Sequence, residues 1–195
     1  MDVRGGLRIL IQWGALWGIA AGAPAAAAQP PPALTDGQLV AALHQVNQLE
    51  AQAGRLAQQN GSAKRVRRYG RMLVRDHRGA DRQLRQYARS SQMDVDLPPP
   101  AATEAELTTA RTRLFNLQAL HGSVFDQDFA DVTLQMQRRA IRLVDDGRRR
   151  AADRHLKAML AQIALQLRQH RQMAADLARA RPRWQVAGRT PPSSR

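Results

Sequence analysis

Three residues with useful chemistry stand where apolar side chains are expected. Read at alternating steps of three and four, residues 35–59 put Leu39, Leu43, Val46, Glu50 and Ala53 on one stripe. Residues 62–90 put Leu73, His77, Ala80 and Leu84 on another, and residues 153–180 put Ile163, Leu167, His170 and Ala174 on a third. One carboxylate and two imidazoles on three helices around a shared interior form the donor set of a bundle metal site, and zinc or iron suits such a set. The same residues can instead form a hydrogen-bonded cluster without a metal. A third arrangement leaves Glu50 at the margin, with Leu49 taking its core place. An ionised carboxylate buried alone costs several kcal/mol, so Glu50 calls for a partner. The favoured expectation is a metal-free interior in which His77 hydrogen-bonds Glu50 or His170.

Neighbouring residues narrow the chemistry. A di-iron centre of the bundle type needs a Glu three residues before each ligating His, but Val74 and Leu167 occupy those places. Asp76 lies one step off the stripe beside Arg75. It is expected to pair with a surface arginine, or to orient His77 from behind as a carboxylate does for a ligating imidazole. His44 is expected on the flank of its helix, and His121 and His155 at helix ends. No glycine-rich phosphate loop, nucleophile elbow or H-E-x-x-H motif occurs. Without a catalytic constellation, a non-enzymatic role is favoured.

The elements that must position these groups can be read from caps and breakers. Thr35-Asp36-Gly37-Gln38 has the form of a capping box, opening a helix to about Gln59. Asn60-Gly61 stops it, and Ser62 is expected to cap a second helix running to Ser90. The stretch MDVDLPPP (93–100) is the long connection. Thr103 to Glu106 repeats the capping pattern and starts a short helix ending near His121, where Gly122 stops it. The next helix is expected to run from Ser123 to about Asp146 and to break at Gly147, with Asp153 capping the last helix to about Ala180. Its stripe reads Phe125, Phe129, Val132, Met136, Ala140, Leu143. No strand periodicity is present. The expected fold is all-α: a ferritin-like four-helix bundle over residues 35–180, with one long connection carrying a short extra helix.

Composition sets the surroundings. The 195 residues are 44% hydrophobic and only 4% aromatic, so the core must be built from Leu, Ala, Val and Met. The formal charge of +14 is carried almost wholly by arginine, Lys64 and Lys157 being the two lysines. Arginines spread along every helix read as a solvated surface. The run Arg148-Arg149-Arg150, with Arg138, Arg139 and Arg142, leaves an anionic envelope surface as a partner. Nucleic acid is disfavoured for want of stacking aromatics or a groove-entering motif. The absence of cysteine excludes a disulfide-linked partner. Arg4 and Arg8, the apolar run Ile9 to Ala23 and Ala26-Ala27-Ala28 together read as a secretory signal over residues 1–28, with Gln29 as the mature N-terminus. A proline-rich lead (29–34) and a basic tail (181–195) flank the domain. The location expected is periplasmic or secreted, with association to the outer membrane as a further option.

Three motifs carry a family resemblance. They are R-M-L-V-R-D-H-x-x-A-D-x-x-L from Arg71, F-D-x-x-F from Phe125 and L-K-A-M-L-A-x-x-A-L-x-L-R-x-H ending at His170. Over residues 36–178 the chain resembles domain-of-unknown-function family 4142, exported bacterial proteins often labelled as outer-membrane proteins. The resemblance implies a ferritin-like four-helix fold and no established activity. Members often carry a further acidic-His pair on the helix opened by F-D-x-x-F, where this chain has Met136 and Gln137. Glu50, Asp76, His77 and His170 remain, so a metal centre of the family would be incomplete here.

Overall fold

The structure, a computed structural model, describes residues 34–180. The expected signal segment, the basic tail and all but Leu34 of the proline-rich lead lie outside the described residues. Five helices follow in order: α1 (Asp36–Asn60), α2 (Lys64–Ser90), α3 (Ala101–Gln118), α4 (Gly122–Arg150) and α5 (Arg154–Arg179). Among the described residues there is no strand, only an isolated bridge between Gly61 and Gly122. The hairpin α1–α2 packs on the hairpin α4–α5, with α1 beside α4 and α2 beside α5, while α3 lies over α1 and α4.

Most helix ends follow local chemistry, and the exceptions have tertiary causes. The Thr35 capping box forms with both reciprocal bonds, and Asp153 accepts from Leu156 N at 2.7 Å to start α5. Ser62 does not cap α2. Its hydroxyl donates to Asp126 on α4, whose carboxylate also accepts the backbone N–H groups of Ser62 and Ala63, so α2 is anchored from another helix. Thr103 does not cap α3 either. The helix starts at Ala101, immediately after Pro100, because proline disfavours helical backbone only in the residue before it. That helix ends at Gln118 rather than His121, and His121 instead precedes α4. Gly122, with φ +66°, is the turn into α4. Gly147 does not break α4, which continues to Arg150. A Cβ there would strike the Leu39 side chain, so the glycine is an inter-helix contact and not a stop. Gly54 and Gly70 do the same between α1 and α2: a Cβ on either would meet the other's carbonyl oxygen within 2.6 Å.

The apolar interior falls into two clusters. One gathers Leu39, Leu43, Leu84, Val144, Leu156 and Leu160; the other gathers Ala53, Tyr69, Leu73, Leu114, Phe125 and Phe129. On each bundle helix a polar residue falls where one cluster gives way to the other: Asn47 and Glu50 on α1, His77 on α2, Gln137 on α4 and His170 on α5. The α4 stripe is rotated from the expected one. Thr133, Gln137 and Val144 are buried, whereas Val132 and Leu143 are only partly so.

Candidate functional site: a buried polar layer

All three seam residues are buried: Glu50 is 0%, His77 3% and His170 1% exposed. Leu49 is buried as well, so Glu50 is a core residue and not a marginal one. The histidines stand close, with ring centroids 5.2 Å apart and planes tilted by 51°. The expected hydrogen bond from His77 to Glu50 or His170 is not made. His77 Nδ1–H donates instead to Asn47 Oδ1 at 2.9 Å, and His170 Nε2–H donates to Asp76 Oδ2 at 3.1 Å. The carboxylate expected behind His77 therefore serves the other histidine. Its second oxygen accepts from Arg75 Nε at 2.6 Å.

These two bonds fix both tautomers. With one nitrogen protonated and engaged, His77 Nε2 and His170 Nδ1 are left as bare lone pairs, buried and without partners. Burial lowers the His77 pKa to about 3; nearby His170 adds to the effect and Asp76 opposes it. Burial likewise lowers His170, against the pull of Asp76. Burial alone would raise Asp76, but Arg75 and then His170 outweigh it and hold the carboxyl below its usual range. Both imidazoles are thus neutral at pH 7 and Asp76 is charged.

Glu50 keeps different company. Burial raises its pKa to about 8, so it carries a proton at neutral pH. The Gln137 side chain on α4 lies near enough to temper that shift, yet neither Glu50 oxygen nor either end of the Gln137 amide closes a well-formed hydrogen bond. All four atoms are left without a hydrogen-bond partner. Tyr69 stands between the two groups. Its hydroxyl donates to the backbone carbonyl of His170 at 3.1 Å, and its pKa is raised well above the usual value, first by burial and then by Glu50.

Two imidazole lone pairs are donors that zinc or iron accepts. Glu50 is not brought to them as a third ligand: among the described residues no three His, Asp or Glu side chains gather as the ligands of one ion. The trio read from the sequence thus separates into a histidine pair on α2 and α5 and a Glu50–Gln137 pair on α1 and α4.

Residues 21–177 match the family described as a domain of unknown function, DUF4142. The chain belongs to the DUF4142 family. No curated protein matches this DUF4142 chain. Among solved structures it is similar to a chain described as a DUF305 secreted protein from Streptomyces coelicolor. The TM-score is 0.62 at 11% identity, over 72% of this chain and 88% of the other, a likeness of fold.

Sequence reasoning missed three positions. Asn47 follows Leu43 by four and precedes Glu50 by three, so it shares their stripe; the neighbouring Val46 masked it. Gln137 is buried because of the α4 rotation. His44, expected on a flank, is buried and satisfied at both nitrogens, by Asp81 Oδ1 at 2.6 Å and Gln48 Nε2 at 2.8 Å. His121 and His155 are exposed as expected, the latter stacked on Tyr87. None of the described helices is long and apolar enough to cross a membrane.

Proposed function

We propose that this DUF4142 protein is an exported, non-enzymatic bundle of the cell envelope that works by binding within its polar layer. The observation that carries this reading is the set of six buried, unpartnered side-chain atoms on Glu50, His77, Gln137 and His170, one residue from each bundle helix. Native interiors leave few such atoms, because each costs roughly 1–3 kcal/mol. Concentrating six in one layer gives up stability, as binding sites do. Export is supported by the signal-like N-terminus and by the fold shared with a DUF305 secreted protein.

A metal reading rests on a specific feature, the two tautomer-fixed lone pairs of His77 Nε2 and His170 Nδ1. These would hold the ion, with Asp76 and Asn47 orienting the rings from behind. Glu50 would complete the set only by swinging its carboxylate toward them. Metal analysis of tagless protein purified without chelator tests this. One equivalent of zinc or iron, lost in His77→Ala/His170→Ala, is expected. Metal-free wild type, or undiminished metal in the double variant, removes the metal reading.

A further inference from the structure

The arginines are concentrated on one helix. α2 carries nine of them and Lys64 against two acids, Asp76 and Asp81. From Arg65 to Arg89 an exposed arginine recurs at every third or fourth residue, the spacing that keeps side chains on one face of a helix. At a rise of ~1.5 Å per residue the ridge runs ~36 Å, with an arginine about every 5 Å along the axis. Both acids of α2 are already engaged, Asp76 by Arg75 and His170 and Asp81 by His44. Arg68, Arg71, Arg78, Arg82, Arg85 and Arg89 have no acidic partner among the described residues. Like charges three and four residues apart repel, so the ridge costs stability that an anionic partner would restore.

Beside the ridge a groove runs between α2 and α5. Its two parts, about 610 and 490 Å³, share Gln83 and Gln162 as lining. Gln86, Gln166 and Gln169 add three more amides, and Leu165 adds an exposed apolar patch. None of the five side-chain amides is bonded to another described residue. Arg75 and Arg82 bring the ridge to the edge of the groove, and the acid in its lining is Asp76, already neutralised from both sides. Arginine takes a carboxylate in a two-pronged fork, and an amide both donates to and accepts from a hydroxyl. Cations at regular spacing beside a row of amides therefore suit a chain that repeats carboxylates among hydroxyls. Single-stranded nucleic acid calls for stacking platforms, and both tyrosines of α2 are buried. A bilayer calls for an apolar flank along the basic helix, yet the exposed Phe115 and Val124 lie on α3 and α4.

We propose that the ridge and the α2–α5 groove bind a linear acidic polysaccharide, its carboxylates on the arginines and its hydroxyls on the glutamine amides. This surface is separate from the buried polar layer, and the proposal stands whatever that layer binds. The test is calorimetric titration of the full chain with polygalacturonate, in EDTA at about 0.15 M salt. Dextran, a short DNA duplex and anionic vesicles are titrated beside it. Polygalacturonate is expected to bind more tightly than all three and to weaken steeply as salt rises. Arg82→Gln/Arg85→Gln/Arg89→Gln is expected to weaken it about tenfold or more. Arg138→Gln/Arg142→Gln/Arg148→Gln makes the same charge change on α4, diagonal to α2, and is expected to weaken it less than about threefold. Gln83→Ala/Gln162→Ala/Gln166→Ala keeps the charge; it is expected to weaken polygalacturonate and leave polyphosphate binding as it was. Helical circular dichroism should match wild type in all three variants, since the substituted side chains are exposed or half-buried. Absence of polygalacturonate binding overturns the proposal, and equal losses from the α2 and α4 variants reduce it to diffuse charge. Tighter binding of the duplex or of the vesicles overturns it in favour of nucleic acid or membrane. So does an amide variant that binds polygalacturonate like wild type.

Discussion

The two polar pairs at the centre of the bundle are buried to the same degree but supported differently. Each histidine of the α2–α5 pair has one ring nitrogen held by a neighbour, Asn47 or Asp76, and the other left open. The Glu50–Gln137 pair on α1 and α4 has no side-chain atom held. Burial alone neutralises a carboxyl or an imidazole, but only a hydrogen bond from behind decides which atom faces inward. The histidine pair is therefore preorganised with defined lone pairs, whereas Glu50 is a protonated acid that no well-formed hydrogen bond orients. His44 supplies the reference case: equally buried, with both nitrogens paired, it leaves nothing to bind with.

The largest expected effect separates the pairs by pH. The folded chain holds a proton on Glu50 that the unfolded chain loses above about pH 4.5, so stability falls as pH rises from there through about 8. The full shift corresponds to roughly 3–5 kcal/mol. His77 works in the opposite direction. The unfolded chain binds a proton below about 6.5 that the folded chain refuses down to about 3, so stability is lost as pH drops through that range. The depressed His170 adds to the acid loss. The two opposing slopes cancel between about pH 4.5 and 6.5, so metal-free denaturation midpoints should show a broad maximum there, which the depressed His170 tilts toward its alkaline edge. Glu50→Gln should flatten the alkaline limb and, with its opposing slope gone, let the acid loss begin at about pH 6.5; an unchanged alkaline limb would place the burial penalty elsewhere.

Next in size is the support behind His170. Asp76→Ala removes a charged hydrogen-bond acceptor and should cost about 2–3 kcal/mol by urea denaturation. Nitrogen-15 NMR should show the His170 proton redistributing between its two nitrogens while His77 keeps its tautomer. A wild-type His170 spectrum in Asp76→Ala would show that the carboxylate does not orient the ring. Asn47→Ala should act likewise on His77 at about 1–2 kcal/mol, the bond being neutral. Equal losses from the two substitutions would remove the distinction between a charged and a neutral support.

The smallest effect lies at the surface. Arg75 is exposed and bonds the solvent side of Asp76, so Arg75→Ala should leave the urea midpoint unchanged within error. A drop matching that of Asp76→Ala would instead make the arginine part of the support. The basic surface gives a parallel measurement. Arg149 and Arg150 already pair with Asp146, and Arg168 with Asp145, so only weak, salt-sensitive sedimentation with anionic liposomes is expected. Binding that persists at high salt would point to contacts beyond charge.

Much of the architecture was legible because it depends on local chemistry and periodicity. The Thr35 box and the Asp153 cap act within one turn, and the proline run before Ala101 forces the long connection. Helical spacing alone put Glu50, His77 and His170 inside. Gly147 and Ser62 misled for a shared reason. A glycine looks like a stop and a serine like a cap until the neighbouring helix is in place, when Leu39 occupies the space at Gly147 and Asp126 claims the Ser62 hydroxyl.

The sequence by itself determined that this chain forms amphipathic helices and that their apolar stripes are interrupted by one acid and two histidines. Only the tertiary structure decided how those groups are partnered. Which atom faces which depends on the rotation of each helix about its axis, and at Glu50 and Gln137 on a rotation of α4 that brings Gln137 inward in place of Val132 and Leu143. Periodicity fixes the face of a helix only to within about one residue, whereas a hydrogen bond is made or lost within a few tenths of an ångström. For that reason His77 could be read from the sequence as a buried polar residue, while its bond to Asn47 and its open Nε2 could not.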